Sequence, residues 1–288
     1  MPKVLVTGAK GQLGSDIRDI SSNYPYTFFF TDALELDISN LDAVETFVIQ
    51  NKIDTIINCA AYTAVDKAQS DTQMAYKINH IAVSHLSTLA QKHHISLIHI
   101  STDYVFDGEN FAPYTENNPV APNSIYGLSK LSGETSMQTI NPLNSIIIRT
   151  SWVYSSHGQN FVKTMLKLGE ERDSLGVIFD QVGTPTYAKD LAYTILEVLP
   201  KIKNKEVEIY HYTNEGVASW YDFAKEIMSL AKIDCKVNPI ETIEYPTPAK
   251  RPHYSVLNKK KIKETFNIEI PYWKDSLKEC LLKIGEIN

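Results

Sequence analysis

Three glycines directly after the first strand constrain this chain more than any other feature. The run Thr7-Gly8-Ala9-Lys10-Gly11-Gln12-Leu13-Gly14 follows an apolar segment, Val4-Leu5-Val6, and leads into an amphipathic one. A GxxGxxG spacing in a first βα turn suits a dinucleotide pyrophosphate. Gly8 permits the tight turn, Gly11 lets backbone N–H groups approach the anion, and Gly14 lets the helix pack on the strand. A glycine pattern alone is weak, since any loop can be glycine-rich; its position gives this one its force.

The rest of the first half repeats the same alternation. Thr27–Phe30, Thr55–Ile57, Leu97–Ile100 and Ser145–Ile148 are short continuous apolar runs, suited to strands buried on both faces of a parallel sheet. Between them, Leu41, Val44 and Val48 form one helical stripe, and Ala75, Ile78, Ala82, Leu86 and Leu89 another. The pattern predicts an α/β protein with a Rossmann-type, doubly wound parallel sheet. In the second half, helices are expected at Phe161–Glu171, Ala188–Leu199, Tyr221–Ala231 (capped by Ser219) and Trp273–Ile284. Short strands are expected at Val177–Phe179 and Val207–Tyr210, and a stretch rich in Pro and Lys runs from Pro239 to Pro252. The 288 residues therefore divide into an NAD(P)-binding domain over 1–150 and a smaller α/β part over 151–288. This second part is mainly substrate-binding and returns some segments to the sheet, with a cleft between the two.

A net charge of −6 argues against nucleic acid as partner, because phosphate neutralisation needs a basic face. Cys59, Cys235 and Cys280 are far apart and form no CxxC or Cys/His cluster, so neither a disulfide framework nor a zinc site is expected. No signal peptide precedes the first strand, and no apolar run approaches the roughly 20 residues that span a bilayer. A cytoplasmic protein is the expectation.

Asp32 follows the second strand, where an acidic side chain would meet the adenosine ribose and disfavour a 2′-phosphate. It could equally be a surface turn residue. Asp37, in Leu36-Asp37-Ile38, is a second acidic candidate near the adenine edge. Lys10 offers only weak support for a 2′-phosphate and no Arg stands near either position, so these residues lean to NADH over NADPH.

Tyr126-Gly127-Leu128-Ser129-Lys130 places Tyr and Lys at an i,i+4 spacing, on one face of a helix. Carbonyl reduction needs a proton donor beside the hydride donor, and a lysine one turn away favours the phenolate. YxxxK pairs are common on ordinary surfaces; this one matters because it follows the fourth strand of a glycine-loop fold. Ser101-Thr102-Asp103 ends that strand, at the carboxyl edge where such folds bind ligands. A hydroxyl there can polarise a carbonyl, although Ser, Thr and Asp also suit caps.

Taken together, these residues resemble the extended short-chain dehydrogenases and, within them, the dTDP-4-dehydrorhamnose reductase family. The likeness runs nearly end to end: TGAKGQLG (7–14), NCAAYTAVDK (58–67), STDYVFDG (101–108), YGLSKLSGE (126–134), RTSWVY (149–154), DQVGTPT (180–186), SWY (219–221) and RPHYSVL (251–257). It implies a catalytic triad of Thr102, Tyr126 and Lys130. It also implies cofactor contacts at Gly11, Gln12 and Leu13, adenosine-side positions at Asp32, Asp37 and Ile38, and a cofactor-lining Ala61-Tyr62-Thr63. Asp103 and Tyr104 would sit beside the carbonyl, Trp152 would face the sugar, and Arg251 would contact the nucleotide diphosphate. The alternative reading of Trp152 is a core aromatic and of Arg251 a solvated loop charge, while Trp220 and Tyr221 read as packing residues.

The implied reaction is NADPH- or NADH-dependent reduction of the C4 keto group of dTDP-4-dehydro-L-rhamnose. The alternatives are another nucleotide-linked 4-keto sugar, or a non-catalytic subunit of methionine adenosyltransferase, which an intact triad disfavours. Some members form homodimers joined by magnesium, but no acidic residues of this sequence are identified for that ion.

Overall fold

The computed structural model describes residues 1–287. Its centre is a six-stranded sheet built from β1 (Lys3–Thr7), β2 (Thr27–Thr31), β3 (Thr55–Asn58), β4 (Ser96–Thr102), β5 (Ile146–Thr150) and the strand Glu208–His211. From one edge the order is Glu208–His211, β5, β4, β3, β1, β2. Every pairing is parallel. β3 and β5 are buried at every residue, which continuous apolar strands allow only when helices cover both faces.

Side chains alternate between the two faces with period two. Val4, Val6 and Ile57 pack with Ile17 of α1 (Gln12–Ile20) and with Leu191 and Ile195 of the helix Ala188–Val198. Leu5, Ile56 and Leu97 face the other way. They pack against Val44 of α2 (Leu41–Asn51) and, further along the chain, Leu86 and Met137. The chain steps from β1 outward to β2, then returns to β3 and builds in the opposite direction. The crevice at the carboxyl ends of β1 and β3 is thus the topological switch point where ligands of such sheets bind.

The stripe from Ala75 to Leu89 is not one uninterrupted helix. After α3 (Val65–Ala68), α4 (Thr72–Tyr76) passes through a π-helical turn at Lys77–Ile81 into α5 (Ala82–His93). The Tyr126/Lys130 motif opens α6 (Ile125–Ile140), whose Ser124 cap accepts a hydrogen bond from the Gly127 N–H at 3.1 Å. Such caps satisfy amides that have no partner within the helix.

Beyond β5, the helices Phe161–Glu171, Trp220–Ala231 and Trp273–Ile284 enclose a separate core around Val162, Phe223, Ile227 and Leu277. The Ser219 cap is a full capping box closed by Asp222. Two of the elements that the periodicity does not signal shape this part. Lys236–Ile240, running into the Pro-rich stretch, pairs in parallel with Ser174–Ile178, and a short helix forms at Lys260–Phe266. The helix Lys260–Phe266, the strand Glu208–His211 and the helix Ala188–Val198 all join the core beneath the large sheet. Among the described residues, no helix is long and apolar enough to cross a membrane.

Candidate active site

The crevice at the switch point is a cavity of about 820 Å³, running from the glycine loop past the end of β4 to the face of α6. At one end Gly8 has φ +63°, and a Cβ there would fall 2.6 Å from the Ala60 backbone nitrogen. Gly14 lies below the cavity lining, where a Cβ would come within 2.4 Å of the Gly8 carbonyl oxygen. These contacts bring the α1 N-terminus up to the cleft, and no side chain caps it. Its first amides and the positive end of the helix dipole therefore face the space a pyrophosphate would fill. Gly11, Gln12 and Leu13 line that space.

Asp32 also lines the cavity, held at the rim of the glycine loop. Its carboxylate accepts from the Lys10 N–H at 3.1 Å and the Ala33 N–H at 2.7 Å. The Lys10 ammonium pairs with Glu35 at 2.6 Å, a largely exposed contact worth little in stability. Acidic and basic groups thus meet at one corner. Asp37 and Ile38 line the cavity nearby, and hydrogen bonds from Ser39 lower the Asp37 carboxyl.

Ala61, Tyr62 and Thr63 form the wall after β3. Their loop is pinned by a residue the sequence reading missed. Asn79, buried in the π-helical turn, accepts from the Tyr62 N–H at 2.9 Å and donates to Ser129 of α6 at 3.0 Å. Gly133 makes this approach possible, since a Cβ there would fall 2.2 Å from the Asn79 carbonyl.

At the chemical end, Thr102, Tyr126 and Lys130 all line the cavity. The Thr102 hydroxyl donates to Asp103 Oδ1 at 2.9 Å and accepts from the Tyr104 N–H at 3.2 Å. Burial pushes the Tyr126 phenol up to about 12; the Thr102 hydroxyl partly opposes that shift and the Asp103 charge adds to it. The lowering expected from Lys130 is outweighed by burial, which leaves Tyr126 above its ordinary value and protonated near neutrality. Lys130 is itself pulled down to about 8 by burial, against the charge of Glu134. Glu134 binds Arg149 through both carboxylate oxygens in a buried pair. Asp103 is pushed up to about 6 by burial, although the hydroxyls of Thr102 and Ser255 resist the shift. Its Oδ2 has no hydrogen-bond partner among the described residues. Tyr104 lines the cleft edge-on to Tyr126, with ring centroids 5.4 Å apart.

Trp152 lines the cleft with φ +49°, a left-handed conformation that is strained for a bulky residue. Its ring stacks on Trp220 at 3.6 Å, and Trp220 lines the cavity too. The reading of Trp220 as a packing residue is therefore too narrow, because it packs and faces the cleft at once. Arg251 is not among the lining residues. Its guanidinium holds both oxygens of Asp66 at 2.9 and 2.7 Å, tying the 249–254 loop to α3.

For magnesium, only Asp16, Asp19 and His157 converge among the described residues. Lys283 donates to Asp16 at 3.4 Å and to Asp19 at 2.6 Å, so one ammonium already offsets part of their charge. Asp16 also accepts from Ser155, and Asp19 lies against His157, so both carboxylates already have protein partners. The glycine cradle and the uncapped α1 N-terminus do fit a nicotinamide dinucleotide.

The comparisons with known proteins agree with this geometry. A dTDP-4-dehydrorhamnose reductase from Aggregatibacter actinomycetemcomitans is 42% identical, covering 96% of this chain and 98% of its own. A solved dTDP-4-dehydrorhamnose reductase from Clostridium acetobutylicum superposes with TM-score 0.93 at 45% identity, over 98% of this chain and 99% of that one. Another, from Bacillus anthracis in complex with NADP, gives TM-score 0.93 at 37% identity, over 98% and 100%. The family described as the RmlD substrate binding domain matches residues 2–285. With the glycine cradle, the switch-point cleft and the Thr102, Tyr126 and Lys130 cluster in place, this chain belongs to that family.

Proposed function

We propose that this chain reduces the C4 keto group of dTDP-4-dehydro-L-rhamnose to give dTDP-L-rhamnose, using NADPH or NADH. The observation that carries the reading is one continuous cleft, with an anion-ready helix end at one side and Thr102, Tyr126 and Lys130 together at the other. When bound, the reduced nicotinamide supplies the hydride. Gly8, Gly11, Gln12 and Leu13 hold the pyrophosphate, Asp32, Asp37 and Ile38 the adenosine side, and Ala61, Tyr62 and Thr63 the middle of the cofactor. Tyr126, kept protonated by its burial, gives its proton to the carbonyl oxygen as negative charge develops there. Thr102 orients that oxygen, and Lys130 holds the nicotinamide ribose and stabilises the phenolate left behind.

The paired rings of Trp152 and Trp220 form a wall for the sugar, and the orphan Oδ2 of Asp103 is an acceptor for one of its hydroxyls. Arg251 reaches the substrate diphosphate by exchanging Asp66 for it. Residues 1–150 act as the cofactor domain, and most of 151–288 as the substrate side. The enzyme works in the cytoplasm on a small nucleotide sugar, as a homodimer.

The test follows oxidation of NADPH and NADH in parallel, with dTDP-4-dehydrorhamnose and a panel of other nucleotide-linked 4-keto sugars. Turnover should require Tyr126. Wild-type rates from a Tyr126→Phe enzyme, or turnover only with a different sugar, would overturn the assignment.

A further inference from the structure

Three polar side chains stand in a row across otherwise apolar strands beneath the cleft. Thr7 ends β1, Asn58 ends β3 and His99 lies in β4, and the strand register sets Thr7 beside Asn58 and Asn58 beside His99. All three are sealed from solvent, at 1%, 1% and 0% exposure. The Thr7 hydroxyl donates to Asn58 Oδ1 at 2.7 Å, and Asn58 Nδ2 lies 3.0 Å from His99 Nδ1. His99 Nε2 lies 3.2 Å from Lys130 Nζ, where the row ends. Burying polar groups is unfavourable unless each is hydrogen-bonded, and apolar residues would fill a sheet interior at less cost.

A neutral imidazole carries one N–H, and the partner of one nitrogen decides where that proton sits. With the Asn58 N–H directed at Nδ1, the ring proton is on Nε2 and faces Lys130, which must then accept it as a neutral amine. Turning the Asn58 amide end for end reverses every donor in the row. The Thr7 hydroxyl then accepts, the Asn58 oxygen takes the Nδ1 proton, and Nε2 accepts from a Lys130 ammonium. The two arrangements share the same heavy-atom positions.

We propose that Thr7, Asn58 and His99 form a tautomeric tether that holds the Lys130 nitrogen in one place whether it is charged or neutral. His99 is thus a positioning residue, and the inference rests on Lys130 acting as partner to Tyr126. A second anchor, the Ile100 carbonyl at 2.6 Å, takes another Lys130 hydrogen and leaves one for the cleft. The other charged group acting on Lys130 is Glu134 on α6, itself paired with Arg149 of β5. Burial and the Lys130 charge hold His99 far below the usual imidazole range, so it stays neutral while Lys130 titrates at about 8.

The direct test is ring ¹⁵N NMR of the full chain labelled at histidine, without cofactor, across the range in which Lys130 titrates. The expected result is Nδ1–H at the acid end and Nε2–H at the alkaline end, exchanging at about pH 8, with no imidazolium. Lys130→Met should abolish the exchange. A single tautomer throughout in the wild-type protein would overturn the tether. In turnover, His99→Gln, whose amide can present oxygen or nitrogen to Lys130, should stay close to wild type. His99→Asn, too short to reach, should lose about tenfold or more in kcat at unchanged KM. Its alkaline limb should move down by about one pH unit, the margin by which a hydrogen bond from the ammonium exceeds one to the neutral amine. Equal loss in both variants with an unmoved pH profile would leave only a structural role and refute the proposal. The NMR exchange needs no substrate, so it stands or falls separately from the choice of sugar.

Discussion

Asp103 should make this protein less stable as the pH rises, and Asp103→Asn should remove that loss. The carboxyl is 3% exposed, and its pKa rises from 3.8 to about 6 because burial disfavours the charged form. The folded state therefore binds its proton more tightly than the unfolded state does. Well below the unfolded value both states are protonated and there is no penalty. As the pH climbs from about 4 to about 6, the unfolded chain releases its proton first and stability falls; above that the full loss persists. Two pKa units correspond to about 3 kcal/mol at neutral pH. Asparagine keeps the oxygen that accepts from Thr102 and cannot ionise. The variant should match the wild type at about pH 4 and exceed it by about 3 kcal/mol at pH 7, a rise of roughly 5–10 °C in Tm. The assay is urea and thermal unfolding of both proteins across that window. A difference that stays flat with pH would refute the reasoning.

Three further outcomes follow from the geometry. Tyr126→Phe should lower kcat by about 10²–10⁴ while fluorescence titration shows NADPH binding unchanged, because only the proton donor is lost. Gly14→Ala puts a Cβ 2.4 Å from the Gly8 carbonyl and 2.6 Å from Ala9 Cα, both backbone atoms that cannot move aside cheaply. Calorimetry should show dinucleotide affinity falling at least tenfold, as the α1 N-terminus is pushed off the cradle. Glu134→Gln leaves the Arg149 guanidinium, 2% exposed, without its carboxylate. Denaturant unfolding should show a loss of about 3–5 kcal/mol.

What could be read along the chain was whatever rests on neighbours in sequence. Strand and helix periodicity, the glycine spacing, the Ser219 cap and the i,i+4 step from Tyr126 to Lys130 are local geometry, set by backbone dihedrals and side-chain pitch. The family likeness carried most lining residues with it, and of the site positions drawn from it only Arg251 lies off the cavity wall; Gly14, read from the glycine spacing, lies beneath it.

Tertiary structure decided the rest, because the partners are remote and their energies depend on what surrounds them. Arg251 meets Asp66 across 185 residues, and Trp220 reaches Trp152 only when two segments of the second half close on the cleft. His99 reads in sequence as one polar residue in an apolar strand; only parallel register brings Asn58 and Thr7 alongside it and α6 brings Lys130. The sign of the Tyr126 shift was likewise out of reach, since spacing names a lysine neighbour but only packing reveals how little water remains. The glycine loop told where a dinucleotide would lie, and burial decided which side chains beside it keep their protons.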